Sequence, residues 1–369
     1  MMSPTMVILV TGVLCAAACS LLGTFLVLRR MSMMTDAISH AILPGLVAGY
    51  FLANGPNLLI GALGATGAAI LTVTIVEALQ RSRYLDGGSA MGIVFPAMFA
   101  LGTVLVSRYF SDVHLDTDAI LYGSIEFSFF DRFVVGGQDL GPQSVWIMCT
   151  LLVINVIFLG LFYKELKITT FDPGISAMLG FSPVLVHYSL MLVLSITTVG
   201  AFTAVGAILV VALVIVPAAT AYLLTDRLIV MMGLSILIGS VAAWAGFEFA
   251  LRIDASVSGG MVTMLGLFFL LALLFSPHSG LVANVLRQRN NARRFAVDLL
   301  LMHLWTHETT DMEASESTLG HVSAALRWTP NHATGVIGRA TDQNLIRTER
   351  GRLLLTDSGR GHASTLLAG

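Results

Sequence analysis

Residues 37–76 read AISHAILPGLVAGYFLANGPNLLIGALGATGAAILTVTIV, forty positions with no Lys, Arg, Asp or Glu and a single histidine, His40. A helix that crosses the hydrocarbon core of a bilayer needs about 20 apolar residues. The run therefore holds two such helices, broken near Ala53-Asn54-Gly55-Pro56, where asparagine, glycine and proline favour a turn. Working outward, uncharged runs occupy 5–28, 87–107, 140–163 and 228–247, and runs interrupted only by one histidine occupy 173–225 and 255–286. The 173–225 run is long enough for two helices. Of the 369 residues 56% are hydrophobic and 11% charged, with a mean hydropathy of +0.84, whereas a soluble domain carries roughly 25% charged residues. An ordinary soluble enzyme is excluded. The expected fold class is an all-α polytopic membrane protein with about nine transmembrane helices, at about 5–28, 37–53, 58–78, 88–107, 144–163, 184–201, 203–223, 228–250 and 258–276. The count becomes eight or ten if Ala119 to Phe130 forms an interfacial or re-entrant helix.

The first run ends at Arg29-Arg30 rather than at a small-residue cleavage site, so it reads as a span and not as a signal peptide. Positive residues in short loops mark the cytoplasmic side of a membrane. With nine spans, Arg29/Arg30, Arg81/Arg83, Lys164/Lys167, Arg227 and Arg287/Arg289 all fall on one side. That places the N-terminus outside and the C-terminus in the cytoplasm. The long opposite loop, 108–143, is acidic, with Asp112, Asp116, Asp118, Glu126, Asp131 and Asp139. Such a loop either concentrates cations at the entrance or is simply solvated. Cys15, Cys19 and Cys149 fall inside spans as small apolar fillers, with Cys15/Cys19 as soft metal ligands the alternative.

Charge also divides the chain. Residues 1–286 hold 10 Lys+Arg and 14 Asp+Glu, and residues 287–369 hold 10 and 8. Two domains are expected, a membrane domain over 1–286 and a cytoplasmic domain over 287–369. Within the first, Gly61, Gly64 and Gly67 line one side of the third span, where small residues let helices approach closely. Pro44, Pro96 and Pro217 remove backbone donors and permit bends. The bends suit a bundle with a pathway better than a rigid anchor.

Chemistry concentrates in Arg30-Met-Ser-Met-Met-Thr-Asp36-Ala-Ile-Ser-His40-Ala-Ile-Leu-Pro44-Gly45. Asp36 and His40 are four apart and share a helix face. A carboxylate with an imidazole suits divalent Mn, Fe or Zn, or a proton relay. The other reading is structural, with Asp36 as the cap of the second span and His40 bonded to a carbonyl. Two protein ligands are too few for a closed metal site, so others come from elsewhere or from water.

The pattern Asp-Ala-x-Ser-His-Ala-x-Leu-Pro-Gly resembles the signature of the manganese/zinc/iron-type ABC transporter permeases. Met91-Gly92-Ile93-Val94-Phe95 with Leu101-Gly102, Leu121-Tyr-Gly-Ser124, Phe171-Asp172-Pro173 with Leu179-Gly180, and Val205-Gly206 through Val216-Pro217-Ala218-Ala219-Thr220-Ala221 resemble further blocks of that family in the same order. The resemblance implies a transmembrane permease domain over 1–286 in the bacterial cytoplasmic (inner) membrane. It would dimerise with a second copy or a paralogue around a cation path, with Asp36 and His40 as metal ligands. It further implies a transported Mn, Zn or Fe ion with no permanently bound cofactor, an extracytoplasmic metal-binding protein as donor, and a cytoplasmic ABC ATPase docking on Phe171, Asp172, Pro173, Gly174, Leu179 and Gly180. The chain has no Gly-Lys-Ser/Thr and hence no phosphate loop of its own. Glu77, His187 and Glu248 are additional polar candidates near span ends. The alternatives are a proton-coupled secondary metal transporter and a membrane-tethered, metal-responsive DNA-binding regulator.

In the tail, residues 293–308 form an amphipathic helix pattern with Phe295, Leu299, Leu300, Leu304 and Trp305 apolar, and His303 and His307 share a face near Glu308 and Asp311. Helices over 319–327 and 331–343, strands at 345–347 and 353–355 joined through Arg350-Gly351, and a final helix from Ser358 follow the plan of helix–turn–helix plus wing. The run from Asn344 to Gly359 resembles the wing of winged-helix metalloregulators. DNA contact would fall to Arg339, Arg347, Arg350 and Arg352, few for a nucleic-acid face. A docking or sensing module for the ATPase is the competing role, and His303 and His307 are either ordinary polar positions or sensors of cytoplasmic metal.

Overall fold

The computed structural model describes residues 3–55, 57–81, 84–109, 125–135, 138–277, 280–308 and 313–368. Pro56, Arg83, Asp112, Asp116, Asp118, the Leu121–Ser124 block and Asp311 lie outside the described residues. Two compact units are present, Met1–Gly280 and Leu281–Gly369.

Among the described residues of the first unit, nine helices have the length and hydropathy of membrane spans: α1 (Pro4–Leu28), α2 (Met34–Ala53), α3 (Leu58–Arg81), α4 (Gly87–Tyr109), α5 (Gln143–Leu161), then, after two short helices α6 (Tyr163–Phe171) and α7 (Pro173–Met178), α8 (Pro183–Val205), α9 (Ala207–Leu224), α10 (Leu228–Ile253) and α11 (Val257–Phe275). The starts and stops follow local chemistry. Ser3, Ser182 and Ser256 cap α1, α8 and α11 through side-chain acceptors, satisfying amides that have no helical partner. The 173–225 run breaks at Gly206, whose φ of +83° is open to glycine and strained for other residues.

α1 is apolar all round and the most enclosed span, packed against α5, α8, α9 and α10. Apolar side chains gain little by leaving lipid for protein, so polar contacts and close backbone approach hold such bundles together. Asn155 of α5, fully buried, donates to the Ala18 carbonyl at 3.0 Å and accepts from Thr197 of α8 at 3.0 Å. α2 and α3 touch backbone to backbone: a Cβ on Gly45 would meet Ala65 Cα at 2.5 Å, and one on Gly64 would meet the Gly45 carbonyl at 2.4 Å. Gly61 belongs to the same seam through Gly49, whereas Gly67 faces open space, so the expected glycine stripe is used over two of its three positions.

Between α4 and α5 the described residues form a 3-10 turn (Ile125–Phe127) and an antiparallel hairpin, β1 (Arg132–Val135) with β2 (Gln138–Pro142). The Ala119–Phe130 helix is replaced, over its described part, by that turn. Glu126 accepts from the Val257 amide at 2.9 Å and Asp139 pairs with Arg132 at 3.1 Å, so two of the acidic loop residues serve the fold itself.

The second unit contains α12 (Leu281–His307), α13 (Glu313–Glu316), α14 (Leu319–Ala325), α15 (Pro330–Asp342), the antiparallel hairpin β3 (Ile346–Glu349) with β4 (Arg352–Leu355), and α16 (Asp357–Ala368). The division falls ahead of the composition shift at Leu286/Arg287 because α12 begins at Leu281 and runs unbroken into the tail. Its buried stripe is Ala296, Val297, Leu300, Leu301 and Leu304, spaced at three and four. Phe295, expected on that stripe, is one position off it and exposed. Arg350 and Gly351 both have positive φ, the twist that a two-residue hairpin loop requires.

Candidate metal site

Met33 occupies the cap of α2 and makes no side-chain capping bond, so Asp36 is the third residue of the helix and not its cap. The carboxylate is thereby left for other work. His40 Nε2 stands 3.5 Å from Asp36 Oδ1, a separation that fits two donors each about 2.1 Å from one shared ion. The His40 ring is held between two aromatic rings of α4, Phe95 at 5.2 Å and Phe99, edge-on, at 5.1 Å. α4 comes close enough to do this because Gly102 packs on α2: a Cβ there would meet Pro44 Cδ at 2.7 Å. Pro44 lies inside α2 and has no N–H to give the carbonyl four residues back, which is that of His40. Along one face the helix thus offers a carboxylate and an imidazole, and Pro44 brings no amide to the His40 carbonyl. The face is not sealed by its own chain, since the Asp36 side chain is 38% and the His40 side chain 25% exposed.

The structure also joins Glu77 and His187, from α3 and α8. Glu77 Oε1 lies 2.5 Å from His187 Nε2, with both side chains about 15% exposed. Cations surround this second pair: Arg81 Nη2 is 3.8 Å from Glu77 Oε2 and Arg29 Nη1 is 3.5 Å from His187 Nδ1. A guanidinium only donates, so Nδ1 accepts and Nε2–H faces the carboxylate. Arg29, just past α1, also donates to Thr169 and Thr170 of α6, at 3.0 Å each, and burial pushes its guanidinium down to about 10. Glu248 stands apart on α10, whose main neighbours are α1, α9 and α11.

Asp172 caps α7 by accepting from the Ile175 amide at 2.9 Å, and Pro173 follows as the first helical residue. Gly180 ends the segment at φ +85°. Phe171, Ile175, Met178 and Leu179 are exposed, a small apolar surface beside Gly174. Cys15 and Cys19 are buried with sulfurs 3.9 Å apart. In the tail, Arg339 and α12's Arg293 and Arg294 line a cavity of about 570 Å³. Arg347, Arg350 and Arg352 sit on or beside the hairpin, with Arg347 3.4 Å from Glu349.

Sequence reading missed the roles of Phe99 and of the Arg29 cluster. Phe95 stood inside a quoted motif, and Phe99 one turn later was the available signal.

Nine helices of membrane-spanning length and hydropathy among the described residues define a polytopic membrane protein. The ABC 3 transport family model matches residues 2–276, and the chain belongs to that family. It is 43% identical over 355 residues to the zinc transport system membrane protein TroD of Treponema pallidum, covering 96% of each chain, so that likeness runs on through the tail. It is also 43% identical to the manganese transport system membrane protein MntD of Bacillus subtilis, over 77% of this chain and 96% of that one. Among solved structures it resembles PsaBC from Streptococcus pneumoniae in complex with Fab, at 29% identity and a TM-score of 0.62, over 74% of this chain and 92% of the other.

Proposed function

We propose that this chain carries a divalent metal ion of the Mn, Zn or Fe class inward, with Asp36 and His40 as ligands on the path and a separate cytoplasmic ATPase as the source of energy. The observation that carries the reading is the unsealed Asp36/His40 face. It has two donors at an ion-sharing distance and aromatic walls from α4. A second copy or a paralogue facing α2 and α4 closes that face and supplies further ligands. The ion arrives from an extracytoplasmic binding protein, with the N-terminus outside and the tail in the cytoplasm.

The exposed apolar residues around Phe171–Gly180 support that segment as the ATPase dock, and Arg29 ties the neighbouring α6 to α1 and, through His187 and Glu77, to α8 and α3. Motion of the ATPase reaches the bundle by that route. The test is reconstitution with the ATPase in vesicles and measurement of metal accumulation. Asp36→Asn or His40→Ala is expected to abolish accumulation with unchanged protein in the membrane; full uptake by either variant removes the ligand assignment. Uptake that follows a proton gradient without ATP turns the pair into a relay instead.

A further inference from the structure

Three histidines gather in the second unit, two of them the His303 and His307 that the sequence places on one helix face. His303 and His307 are one turn apart on α12 with ring centroids 4.7 Å apart, and His321 of α14 stacks on His303 at 5.6 Å. Glu316, the last residue of α13, presses its carboxylate against Nδ1 of His307 and is 14% exposed. His303 Nε2 is buried without a hydrogen-bond partner, and a buried polar atom in that condition calls for a reason.

Ring spacing offers one. With metal–nitrogen bonds of about 2.0–2.1 Å, two imidazoles sharing a tetrahedral ion have centroids about 5 Å apart, and the two observed spacings bracket that value. The nitrogens have not converged: among the described residues no group of three His, Cys, Asp or Glu stands ready around one point. A half-turn of an imidazole about χ2 exchanges carbon for nitrogen while the ring stays in place, so the fold sets ring positions and leaves the donors to the ion.

We propose that His303, His307, His321 and Glu316 form a binding site for a divalent transition-metal ion of the zinc class, tying α12 to α13 and α14 within the tail. Three imidazoles and one carboxylate match the four-coordinate preference of Zn2+, whereas Mn2+ favours oxygen-rich sets. The site does not depend on which ion the membrane unit carries.

The test uses the full chain in detergent, carrying Asp36→Asn and His40→Ala so that the membrane pair contributes no ion. It is loaded with Zn2+, desalted and analysed for metal, with Co2+ as a coloured substitute. About one Zn2+ per chain is expected to remain, and Co2+ is expected to give the intense visible bands of a four-coordinate site. Both signals are lost when His303→Gln and His321→Gln are added, and both survive His332→Gln, a tail histidine outside the cluster. Retention of no Zn2+ by the parent chain, weak octahedral Co2+ bands, or undiminished Zn2+ after the double tail substitution each overturns the site. The first two readouts are made on an unaltered tail, so they stand even if the substituted tail misfolds.

Discussion

Two carboxylate–imidazole pairs lie toward the same end of the α2–α3 hairpin and differ in everything but composition. The antiparallel seam, Gly45 against Gly64–Ala65 and Gly49 against Gly61, brings the Asp36 end of α2 level with the Glu77 end of α3. Asp36 and His40 come from one helix, stand 3.5 Å apart and remain part-exposed, with aromatic rings for neighbours. Glu77 and His187 come from two helices, stand 2.5 Å apart and are largely enclosed, with Arg81 and Arg29 at either flank. Residue type alone makes both pairs metal sites. Their surroundings divide the roles: the first pair is part-exposed among aromatic rings of α4, and the second is enclosed with Arg81 at 3.8 Å and Arg29 at 3.5 Å.

The largest expected effect breaks the first pair. Asp36→Asn or His40→Ala eliminates metal accumulation, and Glu77→Gln leaves ion binding at Asp36/His40 intact when binding is measured on the purified chain. Stability is expected to reverse that order. Removing the carboxylate strands the enclosed His187 N–H at a cost of about 1–3 kcal/mol, so Glu77→Ala lowers the melting temperature in detergent by a few degrees while Asp36→Asn barely moves it. Equal losses in both would show that the second pair is not a brace. Next in size, Asp172→Ala removes the α7 cap, worth about 1 kcal/mol. With Phe171→Ala it is expected to leave ATP hydrolysis running while transport falls, measured side by side in vesicles.

The smallest effect belongs to the tail. His303 is held below its ordinary value by burial and by His307, so the unfolded tail binds more protons than the folded one as pH drops below about 6.5. Stability from this group is complete above that pH and is lost as pH falls toward the depressed folded value. Proteolysis of the tail in the full chain is expected to quicken modestly from pH 7 to pH 5.5, and His303→Gln to flatten the dependence.

Much of the fold was legible in the chain. The span positions follow from run length and hydropathy, because lipid leaves a backbone little choice but to satisfy itself within a helix. The helix start at Asp172-Pro173 and the Arg350-Gly351 loop follow from short-range chemistry. The Asp36/His40 pair was legible because four-residue spacing is a helix face. Phe99, the β1–β2 hairpin and the bond from Glu126 to Val257 were not, since each depends on which distant segment packs alongside. The Phe295 position shows the limit of pattern even within one helix: an apolar residue one place off the stripe faces outward.

Sequence alone determined that the chain crosses a membrane, roughly where it does so, and that one helix face carries an acid and an imidazole, because these depend on composition and on the 3.6-residue period. Only the tertiary structure decided what those groups can do. It enclosed Glu77 and His187 between two arginines, left Asp36 and His40 part-exposed beside α4, and drew His321 from another helix onto His303. Lone pairs and charge are spent on spatial neighbours, and in a folded chain the decisive neighbours come from other helices.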